Sequence, residues 1–173
     1  VNILADLKAM ATHDLTLLQN LTRNPWVING PSGDGRAALS SSLLLAQRDT
    51  SLAKYVASYA WTGDSITTNE AYSLNFITDL QALDATLGTT VSGFPWVVDD
   101  ITLLERTALR DIAAIAGKDL ATAKIVAGLP WITFNISQDE GEALTRLKEL
   151  LTQEAAVAKL VAGMPFFYDI VRD

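Results

Sequence analysis

Among the 173 residues of this chain, His13, Ser32 and Asp34 have the types that nucleophilic catalysis uses. Gly30-Pro31-Ser32-Gly33-Asp34 resembles a nucleophile elbow loosely: the second glycine of G-x-S-x-G is missing and no strand precedes it. Gly33-Asp34-Gly35 does not read as a phosphate loop, because no Gly-Lys-Ser/Thr follows in register. His13 is the one histidine, so a multi-histidine metal site cannot form within the chain. The absence of cysteine removes disulfides, thiolate metal sites and thiol nucleophiles. Asp99 and Asp100 lack the alternating oxygen ligands of a twelve-residue calcium loop, and their charge suits the start of the helix that follows. The expectation is a non-catalytic protein with no cofactor and no metal. An enzyme with its site at Ser32, Asp34 and His13 is the alternative.

Charge gives a second set of candidates. The formal net charge is −7, which argues against nucleic acid or an anionic membrane surface as partner. No basic residue lies between Lys54 and Arg106, whereas Asp64, Glu70, Asp79, Asp84, Asp99, Asp100 and Glu105 do. One reading is a solvated acidic surface. The other is a docking face for a basic protein or peptide, with Asp79, Asp99 and Asp100 as its contact residues. No apolar run reaches the ~20 residues of a membrane span, so no membrane insertion is expected.

The elements that position these side chains follow from a fixed interval. Trp26, Trp61, Trp96, Trp131 and Phe166 stand 35 residues apart, and other columns keep the step. Leu4, Leu39, Leu74, Leu109 and Leu144 form one; Asp14, Asp49, Asp84, Asp119 and Glu154 form another. Self-similarity at such a period marks stacked units that bury their apolar faces against neighbours. Within a unit, Thr67 with Glu70, Thr102 with Glu105 and Ser137 with Glu140 make the S/T-x-x-E capping box that opens a helix. Ala108, Leu109, Ile112, Ile115 and Ala116 then follow at the spacing of one buried stripe. Asp119 is placed to cap a second, shorter helix, which Gly128 and Pro130 end. Ala53, Gly88, Ala123 and Ala158 keep that helix small where neighbouring helices approach. The aromatic column would fill the gap between hairpins as a spine. The predicted fold is all-α: a superhelical stack of about five helix-turn-helix units, near 1–30, 31–65, 66–100, 101–135 and 136–173, forming one domain.

This pattern resembles tandem α-solenoids of helix-hairpin repeats, the class of tetratricopeptide, HEAT and armadillo arrays. It is also similar to poorly characterised bacterial repeats with a Pro-Trp-Val-x-Asp-Gly-Ile core, matched by Pro95-Trp96-Val97-Val98-Asp99-Asp100-Ile101 and more loosely by Pro25-Trp26-Val27-Ile28-Asn29-Gly30. Unlike a tetratricopeptide repeat, the period is 35 and the Trp sits in the connector, so that family's peptide-carboxylate clamp is not carried over. The resemblance implies a scaffold or binding role and supplies no catalytic residues.

The second unit departs from its siblings. It reads Ser32-Gly33-Asp34-Gly35 in place of a capping box, its first helix is weakened by Ser40, Ser41 and Ser42, and Ala60 replaces the connector proline. Drift in a tolerant repeat explains this, and a loosened hairpin supplying a polar groove is the alternative. Asn20-Leu21-Thr22 and Asn135-Ile136-Ser137 match the glycosylation sequon, although Leu21 and Ser137 already have packing and capping roles. The expected function is a binding or spacer module of a larger protein, with a structural stalk in a secreted or surface protein as a further reading.

Overall fold

The computed structural model describes residues 3–168, and their regular structure is entirely helical. In chain order the elements are α1 (Ile3–His13), α2 (Leu15–Leu21) and α3 (Pro25–Ile28); then α4 (Gly33–Arg48), α5 (Thr50–Val56) and a 3-10 turn at Ala60–Gly63. Next come α6 (Thr68–Leu83), α7 (Ala85–Ser92) and α8 (Pro95–Asp99), followed by α9 (Leu103–Lys118), α10 (Leu120–Ala127) and a 3-10 turn at Trp131–Thr133. The last are α11 (Gln138–Gln153), α12 (Ala155–Ala162) and α13 (Pro165–Tyr168). The long helices α4, α6, α9 and α11 each have 16 residues and begin 35 residues apart.

Local chemistry sets these boundaries. In all three capping boxes both hydrogen bonds form, so each glutamate satisfies the backbone N–H of its own cap residue. Asp14, Asp49, Asp84 and Asp119 accept backbone N–H bonds at the starts of α2, α5, α7 and α10. Glu154, one methylene longer, makes no cap bond. The glycines that end the short helices are not left-handed: Gly93, Gly128 and Gly163 have φ near −90°. Among the described residues only Gly30 has positive φ, at 87°.

The long helices lie side by side and parallel, because residues about 34 apart meet along their whole length. Thr68 donates to Asp34 near the start of α4 and α6, Ser41 to Asn75 at mid-helix, and Lys118 to Thr152 at the far end of α9 and α11. Each short helix packs back on its own long helix. Between them sits one continuous core that includes Leu39, Leu74, Leu109 and Leu144. Leu4, first of that column, is 77% exposed. No described helix packs on the outer side of α1 to cover it.

The connectors hold more structure than a hairpin needs. Pro25, Pro95 and Pro165 each start a short third helix, where the missing N–H is no loss and φ is preset. Such short turns cannot use all their own carbonyls, and from the 3-10 turn at Ala60–Gly63 onward each connector has one carbonyl taken by the tryptophan of the preceding segment. The indole N–H of Trp26 donates to the Thr62 carbonyl (2.9 Å), Trp61 to Val97 (2.8 Å), Trp96 to Ile132 (2.6 Å) and Trp131 to Phe167 (2.7 Å). All four indoles are buried. Phe166 breaks the column: it is 57% exposed while Phe167 is buried. No following helix among the described residues covers Phe166, and Phe167 packs edge-on against Trp131.

Two sequence expectations gain detail. At Gly88, in the small-residue column, the nearest atoms all belong to Gln81 of α6, the long helix of the same segment. The serines of α4 do not break it: Ser32 caps the helix through Gly35 N–H, buried Ser42 donates to the carbonyl four residues back, and the helix runs on from Gly33 to Arg48.

Candidate functional site

Three junctions between long helices are zipped by polar pairs 34 residues apart. Ser40 on α4 donates to Asp6 on α1 (3.2 Å), Ser41 on α4 donates to Asn75 on α6, and Thr145 on α11 donates to Asp111 on α9 (2.7 Å). At the α6–α9 junction the same two positions hold Phe76 and Arg110, and one turn earlier Tyr72 and Arg106. A phenyl ring accepts no such bond, and cavities lie along the surface of this junction. One cavity of about 300 Å³ is walled by Tyr72, Phe76, Arg106, Thr107 and Arg110. An adjoining one of about 430 Å³ lies between Phe76, Asp79, Leu83, Arg110, Ala113 and Ala114. Phe76 and Arg110 belong to both, so the two form one groove. Each is within the roughly 300–1,000 Å³ of small-ligand clefts.

The groove's cations are fixed by their neighbours. The Arg106 guanidinium stands 5.6 Å from the centroid of the half-exposed Tyr72 ring, within cation–π range. Arg110 reaches back to Asp111 (2.8 Å), whose fully buried side chain also takes Lys148 (2.7 Å) and the Thr145 hydroxyl. Burial acts to raise the Asp111 carboxyl, but the bonds from Arg110, Lys148 and Thr145 outweigh it and hold the group below its usual range.

The residues singled out by charge do not converge. Asp79 is exposed on the groove wall. Asp99 and Asp100 are exposed at the end of α8, just before α9 begins at Leu103. Ala113, which shares a cavity with Asp79, lies ten residues along α9 from Leu103, or about 15 Å at the helical rise. Glu70, Glu105 and Glu140 are buried inside their capping boxes. Asp84 caps α7 and pairs with Lys124 at 2.6 Å. Much of the acidic stretch is therefore spent on structure.

His13 is likewise far from Ser32 and Asp34, which share the start of α4. Asp14, next to His13, meets Lys54 of α5 beyond the end of α4, whereas Ser32 caps the start of α4. About one α4 length, roughly 20 Å, separates them. Asp34 accepts from Thr68. No group of three His, Cys, Asp or Glu among the described residues is arranged to hold a metal ion, and no described helix is long and apolar enough to cross a membrane.

Sequence reasoning missed Tyr72, Phe76, Arg106 and Arg110. The signal was there: the column Asp6, Ser41, Phe76, Asp111 holds one ring among polar residues. It had no meaning until the 34-residue contacts between parallel helices were known. No family model, curated protein or solved structure matches this chain.

Proposed function

We propose that the chain is an α-solenoid of five 35-residue units acting as a non-catalytic scaffold module that binds a protein or peptide at the α6–α9 groove. The solenoid part is supported by the 35-residue recurrence of the helix boundaries and by the repeated indole-to-carbonyl bond. The binding part rests on one observation: among the described junctions, one replaces its polar zipper by aromatic–arginine pairs, and a groove runs along it. A ring and a cation facing solvent do little for the fold, but they are what recognition surfaces concentrate. The basic partner suggested by the charge run has less support, since Glu70, Asp84 and Glu105 are committed to helix starts.

The test is selection of a random peptide library on the immobilised protein, followed by titration of the selected peptides against wild type and Phe76→Ala. Binders that lose about tenfold or more in affinity with the variant support the reading, since a hot-spot side chain is worth over 1 kcal/mol. Binders indifferent to Phe76, or no enrichment at all, would leave a spacer role in its place.

A further inference from the structure

The groove's charge and length specify more than a generic peptide. Among the described residues Arg106 has no carboxylate within ion-pair distance; its partner is the face of Tyr72. Beside it, the single carboxylate of Asp111 is shared by Arg110 and Lys148. The cavities themselves are lined by two cations, Arg106 and Arg110, and one carboxylate, Asp79. This is a locally positive site on a chain of formal charge −7. Arginine pairs planar carboxylates through two parallel N–H bonds, and a guanidinium already steadied by a ring loses less freedom in doing so. The second cavity is mainly apolar, walled by Phe76, Leu83, Ala113 and Ala114. From Tyr72 to Leu83 the groove spans eleven helical steps, roughly 16 Å, the length of about five extended residues.

Building on the peptide-site reading above, we infer that the occupant is an extended acidic segment of a partner protein. It sets a carboxylate against Arg106 and Arg110 and an aliphatic side chain against Phe76 and Leu83. The juxtaposition of an ion-pair-free arginine with an apolar cavity one helical turn further on carries this choice. A basic peptide would meet Asp79 alone and would face both arginines.

Three fluorescein-labelled, end-blocked hexapeptides test it by fluorescence anisotropy: alternating Glu-Leu, Lys-Leu and Glu-Ser. The Glu-Leu probe is expected to bind wild type more tightly than the other two and to weaken as salt rises from about 50 to 300 mM. Arg106→Gln should weaken it roughly tenfold, the worth of one charge-assisted bond, and Arg106→Lys should fall between, keeping charge without the plane. Thermal midpoints of both variants matching wild type exclude misfolding, and a variant that shifts is replaced by Thr107→Glu, which sets a like charge in the same cavity. Tighter binding of the Lys-Leu probe, abolished by Asp79→Asn, would overturn the acidic occupant and leave the peptide site standing. Binding of no probe, or binding indifferent to both Arg106→Gln and Phe76→Ala, would overturn the acidic occupant and the groove together.

Discussion

Gly88→Ala should destabilise the protein, although helix propensity alone favours the change by about 1 kcal/mol. Gly88 lies where α7 crosses α6. A Cβ there would stand 2.7 Å from Gln81 Cα, 2.8 Å from its amide nitrogen and 2.4 Å from its side-chain oxygen. Ordinary contact begins near 3.4 Å, so α7 must move off α6 by about 0.7 Å. That displaces buried Leu87 and Val91, which ride on the same helix. Overpacking of this kind costs about 1–3 kcal/mol. Against the propensity gain, the expected net loss is about 1 kcal/mol, or roughly 2–4 °C in a chain of this size. The equivalent crossings carry Ala53 opposite Ala46, Ala123 opposite Ala116 and Ala158 opposite Leu151; two of the three contacts at Gly88 are to Gln81 backbone, so the close approach of α7 to α6 keeps Gly88 small and the Gln81 side-chain oxygen adds to it. Gln81 pairs its amide with Asp49 at 3.2 Å but leaves its buried oxygen without a hydrogen-bond partner. Gln81→Ala removes the side-chain contact and leaves the two backbone ones, so the double variant with Gly88→Ala should recover part of the loss, about 0.5 kcal/mol relative to the sum of the singles. Urea midpoints of the four proteins decide it. A Gly88→Ala protein more stable than wild type, with no coupling to Gln81, would refute the argument.

Trp96→Phe keeps the ring but leaves the Ile132 carbonyl without the indole N–H it accepts at 2.6 Å, and should lower stability by about 1–3 kcal/mol in urea unfolding. Leu109→Ala, at a fully buried site, should cost roughly 2–5 kcal/mol, against about 1 kcal/mol for Glu105→Ala, which loses one bond of a capping box; equal urea midpoints would contradict this. Asp111 has a depressed folded-state carboxyl, so its contribution is present above the unfolded value of about 3.9 and is lost as pH falls through the folded value. Asp111→Asn should therefore be less stable at neutral pH and show a shallower fall in thermal midpoint below about pH 4, the remaining slope coming from Asp14, Asp84 and Asp119.

What the sequence disclosed was local. A threonine three residues before a glutamate states its own hydrogen bonds, so Thr67, Thr102 and Ser137 marked helix starts to the residue. The aspartate column did the same for the short helices. What stayed hidden depended on partners far along the chain. Asp111 carries no local signal of burial, and its buried carboxylate is met by Lys148 and Thr145 from α11. Gly88 was legible as a small residue at a helix approach, but not that Gln81, seven residues away, lies beneath it. The aromatic column was legible as core, but not its N–H bonds, which need the next segment's carbonyl in place. The charge count could not show that Arg106 and Arg110, just past the acidic stretch, fold against Tyr72 and Phe76 within it.

The indole ladder has a direction. Every bond points forward, from the connector of one 35-residue segment to the residue after the next aromatic, so each interior segment gives one donor and receives one. A chain of such links is indifferent to its own length. Excising a whole segment, or duplicating one, removes or adds a donor and an acceptor together and leaves no interior carbonyl stranded. A cut shifted by half a segment has no such balance, because it separates a tryptophan from the carbonyl that answers it. In the proposed array, recombination in phase with the tryptophans would yield longer and shorter proteins that still fold.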